Sequence, residues 1–513
     1  MNAMAVLLVP DRALGEAELV AVAREGAEVR LAPETLEALA ASRRLVDALA
    51  AGDVPVYGVS TGFGALATRH IPVARRAQLQ RSLIRSHAAG AGPEVEREVI
   101  RGLALLRLRT LATGRTGVRP QTAQALAALL NAGITPVVRE FGSLGCSGDL
   151  APLAHVALAL MGEGDVRDRD GALLPAEKAL AEAGLPAVEL AEKEGLALIN
   201  GTDGMLAQLM LACADLDELL RLADLSAAMS LEALMGTDAV LAEDLMALRP
   251  HPGQAAAASN MRRLLAGSAV VASHRGPDDT RVQDAYSLRC APQVAGAARD
   301  TLAHARTVAA REAASCIDNP VLLPDGRLAS NGNFHGAPVG YVLDFLAIAA
   351  ADVASMSERR SDRMLDAHRS HGLPPFLADD PGVDSGLMIA QYTQAGIVCE
   401  LKRLAVPASV DSIPSSAMQE DHVSMGWSAA RKLRRSVDGL RTVLAIEVMT
   451  AARALDLRRP RACSPATAAA VAALRVVVAG PGPDRVLSEE IEASVSAAPA
   501  VLAAAEAVTG RLD

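Results

Sequence analysis

The segment Phe141 to His155, FGSLGCSGDLAPLAH, is the most densely punctuated stretch of the 513-residue chain, and at its centre stand Cys146, Ser147 and Gly148. A serine nucleophile on a hydrolase elbow needs G-x-S-x-G. Here Gly145-Cys146-Ser147-Gly148-Asp149 ends in Asp, so that chemistry fails on its own pattern. A turn followed by a helix capped by Ser147 or Asp149 would also account for the composition. The tripeptide allows another reaction. A tight loop can press the Gly148 amide nitrogen against the Cys146 carbonyl carbon, and glycine is required because a Cβ would obstruct the approach. Ring closure with loss of water, then dehydration of the Ser147 side chain, gives a 4-methylidene-imidazol-5-one. That product is an electrophile made from backbone alone.

Other chemistry-bearing patterns are weaker. Val56 to Ala67 reads VYGVSTGFGALA, and Gly62-x-Gly64-x-x-Ala67 imitates a dinucleotide fingerprint. A Rossmann unit needs an acidic residue about 20 positions on, where this chain has Arg81, Arg85 and His87. A glycine loop free to move over a site fits better. His368-x-x-His371 has metal-like spacing but neither a carboxylate nor a third histidine, so no metal is expected. The six cysteines (146, 213, 290, 316, 399, 463) show no C-x-x-C spacing, which argues against a disulfide framework or structural zinc and predicts small buried apolar residues.

These residues must be held by a scaffold that the hydrophobic pattern describes. Apolar residues recur at helical spacing over Leu206 to Leu248, a run that ends at Pro250-His251-Pro252-Gly253 and predicts one long helix. Similar patterns cover Ala291 to Ser315, Ala337 to Ala367, Gly386 to Val406, Met425 to Leu457 and Ser464 to Val478. Val321 to Leu323 and Arg327 to Ala329, flanking Pro324-Asp325-Gly326, predict a small hairpin. The expected fold is mainly α: a loop-rich N-terminal part, residues 1–205, carrying the glycine lid and the Cys-Ser-Gly segment, then a long-helix bundle with C-terminal helices, 206–513. Helices of some 30 residues extend roughly 45 Å, longer than a small domain, which favours bundling with other chains.

Composition narrows the function further. Hydrophobic residues make up 51% and charged residues 21%, as in a folded globular chain rather than a disordered one. A net charge of −10 argues against a nucleic-acid partner. Met1 to Ala13 has no basic region before its apolar run, and later apolar stretches are interrupted by Asp344, Asp352 or glycines, so neither a secretory signal nor a membrane span is expected and the reading is cytoplasmic.

GSLGCSGDLAPLAH, with YGVSTGFG, RSHAAG, EGLALINGT, QDAYSLRCAPQ, DNP…GNFHG and SAMQEDHVSMG in that family order from Tyr57 to Gly426, resembles the aromatic amino acid ammonia-lyase family over most of the chain. The resemblance implies that Cys146-Ser147-Gly148 cyclises autocatalytically to the methylidene-imidazolone and that no external cofactor is used. It implies elimination of ammonia, which needs the amine to become a leaving group while a base removes a barely acidic β-proton. Tyr57 is similar to the family's base; holding a tyrosine ionised at pH 7 costs roughly 4 kcal/mol unless the site lowers its pKa of about 10. Arg289, in YSLRC, resembles the arginine that clamps the substrate carboxylate. Tyr286 and Asn200 resemble the residues that hydrogen-bond the ring oxygen and the substrate amine, with Gln283 in the same polar set. Phe334, in GNFHG, corresponds to a residue packed on the substrate ring. His335 and His155 are read as structural histidines.

Two positions bear on the substrate. Ser86-His87 resembles the pair in histidine-specific members, and Glu420 replaces a glutamine typical of the phenylalanine-specific branch. A histidine and a carboxylate suit an imidazole's N–H and basic nitrogen. L-histidine is therefore the expected substrate and trans-urocanate the product, made by a homotetramer with shared active sites. The alternatives are a phenylalanine or tyrosine lyase or an aminomutase of the same family, or a catalytically dead helical oligomer. Three departures stand out: Cys146 where alanine is commonest, and Ser60 and Met418 where asparagine is frequent.

Overall fold

The computed structural model describes residues 5–52, 55–62, 68–276 and 282–513. The chain is mainly α-helical, and its longest helices are Asp203–Ala233, Ala291–Ala314, Ala337–Leu365 and Gly426–Leu457. Two compact units emerge. One gathers the chain up to Ala214 with Ala305–Asp344 and Pro407–Arg431; the other gathers Asp215–His304, Phe345–Val406 and Lys432–Asp513.

The first unit is built around Arg97–Ala112, a helix buried from Val99 to its end. Three buried arginines on it donate to main-chain carbonyls, and Arg107 also pairs with the Asp203 carboxylate at 3.4 Å. Arg101 donates to Val22 and Leu130, Arg109 to Arg12, and Arg107 to Asn200 and Ile317. The same unit carries the helices Arg76–His87, Pro120–Asn131 and Leu150–Leu160. The strands are short. Val321–Leu322 and Leu328–Ala329 pair antiparallel with Val321 opposite Ala329, the hairpin that Pro324-Asp325-Gly326 predicts.

In the second unit a buried ion pair, Arg360 Nε to Glu447 Oε1 at 2.5 Å, is completed by the Ser226 and Ser230 hydroxyls, which donate to the same carboxylate at 2.8 and 2.6 Å. Arg360 also donates to the Ser287 carbonyl at 3.3 Å, bracing the one-turn helix Tyr286–Arg289.

Two expectations are corrected. The run Leu206 to Leu248 is not one helix: it stops at Ala233 and resumes as the short turns Ala239–Leu241 and Glu243–Ala247. Met235 takes a left-handed conformation (φ +51°), and the Gly236 and Met235 amides donate to the Leu231 and Glu232 carbonyls, a helix-ending pattern that apolar spacing does not reveal. Interruption of the apolar runs also proves incomplete, because Ala337–Leu365 and Leu487–Thr509 are long and apolar enough by composition to cross a membrane. In Ala337–Leu365, 61% of the most apolar window is buried within the chain, the behaviour of a core helix.

Candidate active site

The loop 142–148 is compressed and held on both sides. Gly145 (φ +67°) accepts a hydrogen bond from Ser424 Oγ at 2.9 Å on its carbonyl and donates its amide to Ser143 Oγ at 3.2 Å. Gly148 (φ +79°) bridges to Gly201, and a Cβ built on it would lie 2.0 Å from the Gly201 carbonyl oxygen. Only glycine fits there. The next residue, Asp149, is fully buried. Its carboxyl accepts from Ser143 Oγ and from the Met205 amide, both at 2.8 Å, and burial pushes its pKa up to about 7.

Tyr57 opens a tight turn. The Ser60 amide donates to the Val56 carbonyl, and the Val56 amide donates back to Ser60 Oγ, both at 2.9 Å. Gly58 (φ +78°) lies where a Cβ would press on Leu196 at 3.0 Å. The serine that departs from the family pattern thus closes the turn presenting Tyr57. Residues 63–67, the rest of the expected glycine lid, lie outside the described residues.

Asn200 is fixed from two sides: its carbonyl accepts from Arg107 at 2.8 Å, and its Nδ2 donates to the Asn319 carbonyl at 2.9 Å. Its Oδ1 is buried with no hydrogen-bond partner among the described residues. Beneath Asn319 lies a fully buried ion pair, Lys193 Nζ to Asp318 Oδ2 at 2.5 Å, whose carboxylate also accepts from the Asn319 amide at 2.8 Å.

A cavity of about 400 Å³ brings several predicted residues together: Tyr57, Cys146, Ser147, Phe334 and Glu420 all line it. Ser147 Oγ donates to Glu420 Oε1 at 3.3 Å, and Ser415 Oγ donates to the other oxygen at 2.8 Å. Glu420 sits at the end of a tight turn in which Ser416, Ala417 and Met418 all have positive φ, with the Ser415 amide donating to its carbonyl at 2.8 Å. Burial and the neighbouring Glu420 push the Cys146 thiol up to about 12, so it stays protonated and is no nucleophile.

His87, at the C-terminal end of its helix, is not among the cavity's walls. Its Nδ1 donates to the Leu83 carbonyl at 2.9 Å, which leaves Nε2 as the acceptor of the neutral ring. Burial lowers its pKa, opposed by the Leu83 carbonyl and by the field of Glu420.

Sequence reasoning missed other cavity residues. Asn319, Ser330, Gln419, Asp421 and His422 also line it. Each is close in sequence to a motif residue already singled out, and that adjacency was the available signal. His335, read as structural, lines the cavity too and stacks on His422 with ring centroids 5.5 Å apart and planes 2° from parallel. Gln283, Tyr286 and Arg289 belong to the second unit and contribute nothing to this cavity's walls. Tyr286 is 70% exposed, and the Arg289 guanidinium lies over its ring, 4.6 Å from the centroid.

Known proteins resemble this chain over nearly its whole length. The aromatic amino acid lyase family model matches residues 14–476. Histidine ammonia-lyase of Streptomyces avermitilis is 64% identical over 512 residues, 99% of this chain and 100% of that protein. Among solved structures, tyrosine aminomutase from Streptomyces globisporus superposes with a TM-score of 0.93 at 38% identity, covering 99% of this chain and 100% of that one. Histidine ammonia-lyase from Trypanosoma cruzi gives 0.90 at 36% identity, covering 98% and 96%. With the family match spanning residues 14–476 and relatives of this identity covered over nearly their full length, this chain belongs to the aromatic amino acid lyase family.

Proposed function

We propose that this chain eliminates ammonia from L-histidine to give trans-urocanate, as a cytoplasmic homotetramer. The observation that carries this reading is the Glu420 carboxylate on the cavity wall, 3.3 Å from Ser147 Oγ and within the electrostatic reach of His87. The Glu420 carboxylate suits the N–H of an imidazole, and the Nε2 acceptor of a neutral His87 suits the second N–H that the ring carries when protonated. A phenyl ring would offer neither of them a hydrogen bond. The names of the Streptomyces avermitilis and Trypanosoma cruzi relatives support the same substrate.

The residues present fit a ring made from Cys146, Ser147 and Gly148. Gly148 has the positive φ and the absence of Cβ that close approach of its nitrogen requires, and the Asn200 Oδ1 is a buried polar atom still open to a partner. A 4-methylidene-imidazol-5-one formed there would supply an electrophile toward the substrate's amine or its ring, which no ordinary side chain provides. In this reading Tyr57 takes the β-proton, Asn200 and Phe334 hold the amine and ring ends of the substrate, and Glu420 with His87 orients the imidazole. Gln283, Tyr286 and Arg289 reach the site from neighbouring chains, Arg289 clamping the carboxylate. The half-exposed apolar residues Phe345 and Ile348 on one helix, and Ile389 and Tyr392 on another, support burial between subunits.

The test is incubation with histidine, phenylalanine and tyrosine, following urocanate, cinnamate and coumarate by ultraviolet absorbance. Histidine alone should turn over, and Glu420→Gln or His87→Leu should cut its turnover at an unchanged melting temperature. Formation of a β-amino acid instead would favour the aminomutase reading that the Streptomyces globisporus structure suggests. Normal histidine kinetics in both variants would refute the assigned roles.

A further inference from the structure

A second cavity, of about 770 Å³, lies in the first unit and shares no residue with the site above. Its walls include Arg97, Arg101 and Arg169, three guanidiniums whose hydrogen bonds all go to neutral carbonyls. Arg97 donates to the carbonyls of Asp168, Arg169 and Gly133, Arg101 to those of Val22 and Leu130, and Arg169 to that of Asn131.

Carbonyls satisfy the donors but leave the charge uncompensated. The carboxylates nearby are mostly committed elsewhere: Glu98 pairs with Arg24 and Glu96 with Arg431, each at 2.5 Å, which leaves Glu25 against three cations. Arg101 is only 4% exposed, and its own burial together with the repulsion of Arg97 and Arg169 depresses its pKa to about 10. Gathering like charges around a buried one is costly without a counter-ion. Donation to carbonyls alone would be served by a neutral side chain. Arg97 and Arg169, by contrast, are exposed at the rim, and Arg169 spends only one of its five N–H donors on the chain, so planar donors remain for oxygen ligands.

We propose that this cavity binds a small multivalent oxyanion, a phosphate- or polycarboxylate-bearing metabolite, at a place separate from catalysis. Its volume falls in the range of small-molecule sites, well beyond a single inorganic ion. The experiment is calorimetric titration of the intact enzyme with pyrophosphate and with citrate, alongside thermal melts in sodium chloride of matched ionic strength. Saturable binding of one equivalent per chain is expected, with a rise in melting temperature that chloride does not reproduce. Binding of pyrophosphate alone assigns a phosphate-bearing ligand, and binding of citrate alone a polycarboxylate. Arg169→Gln and Arg97→Gln should each weaken binding about tenfold or more, while histidine turnover without the anion stays at the wild-type level. Arg169→Gln removes one exposed carbonyl contact, so its fold should be intact. A response that chloride matches, or binding undiminished in both variants, would overturn the proposal.

Discussion

Replacing Gly148 with alanine tests the compressed loop directly. At φ +79° an alanine costs about 1–2 kcal/mol over glycine. Its Cβ would stand 2.0 Å from the Gly201 oxygen and 2.3 Å from the carbonyl carbon, where ordinary contact begins near 3.4 Å. The two strands must therefore part by more than an ångström. That movement stretches the hydrogen bond from the Asp149 amide to the Gly201 carbonyl, now 2.7 Å, worth roughly 0.5–1.5 kcal/mol. Overpacking strain adds about 1–3 kcal/mol, so the total lies near 3–6 kcal/mol. Urea denaturation should show that loss. Intact-mass spectrometry should show the wild-type chain short of two water molecules and Gly148→Ala short of none, because its nitrogen no longer reaches the Cys146 carbonyl. Wild-type stability together with two missing waters in Gly148→Ala would refute the reasoning.

Ser147→Ala should fold yet lose nearly all activity, while Cys146→Ala, whose thiol is a protonated passenger, should keep most of it; reversed outcomes would remove the cyclisation proposal. Tyr57→Phe and Arg289→Ala chains, each inactive alone, should regain activity when co-expressed, and mixed tetramers seen by native mass spectrometry but still inactive would place both residues in one chain's site. Lys193→Met strands the Asp318 carboxylate in a fully buried position and should cost about 3–5 kcal/mol in urea melts, partly recovered by adding Asp318→Asn; a loss below about 1 kcal/mol would show that the pair is dispensable. Asp149 binds its proton more tightly folded than unfolded, so its contribution to stability is greatest below the ordinary carboxylate range and declines as pH rises toward 7, by roughly 4 kcal/mol at most. Urea melts at pH 5 and pH 8 should show that decline in the wild type and a flatter response in Asp149→Asn; the same decline in both would assign it to other groups.

The sequence carried the long helices well, because spans such as Gly426–Leu457 keep one apolar stripe with no proline to interrupt it. It misjudged the end of Asp203–Ala233, since Met235 has no intrinsic preference for the left-handed conformation that ends the helix there. Of the cavity residues, Tyr57, Ser147 and Glu420 were legible through their motifs. His422 and Asn319 stand inside family motifs too, but their place in the cavity depends on which loops meet in space. The Lys193–Asp318 pair escaped notice for the same reason: two ordinary charged residues 125 positions apart give no sign in one dimension that both end up fully buried.

The clamp on the 142–148 loop has a temporal side. Gly201 closes on Gly148, and Ser424 and the Met425 amide close on Gly145 and Leu144, so the loop's shape is imposed by residues made long after it. A nascent chain still lacking residue 425 has the tripeptide but not the vice around it. Any water lost from Cys146-Ser147-Gly148 is then a dated stamp, struck only when distant parts of the polypeptide have met. Because covalent change outlasts denaturation, a mass spectrum taken in strong urea would still tell which molecules had once been native.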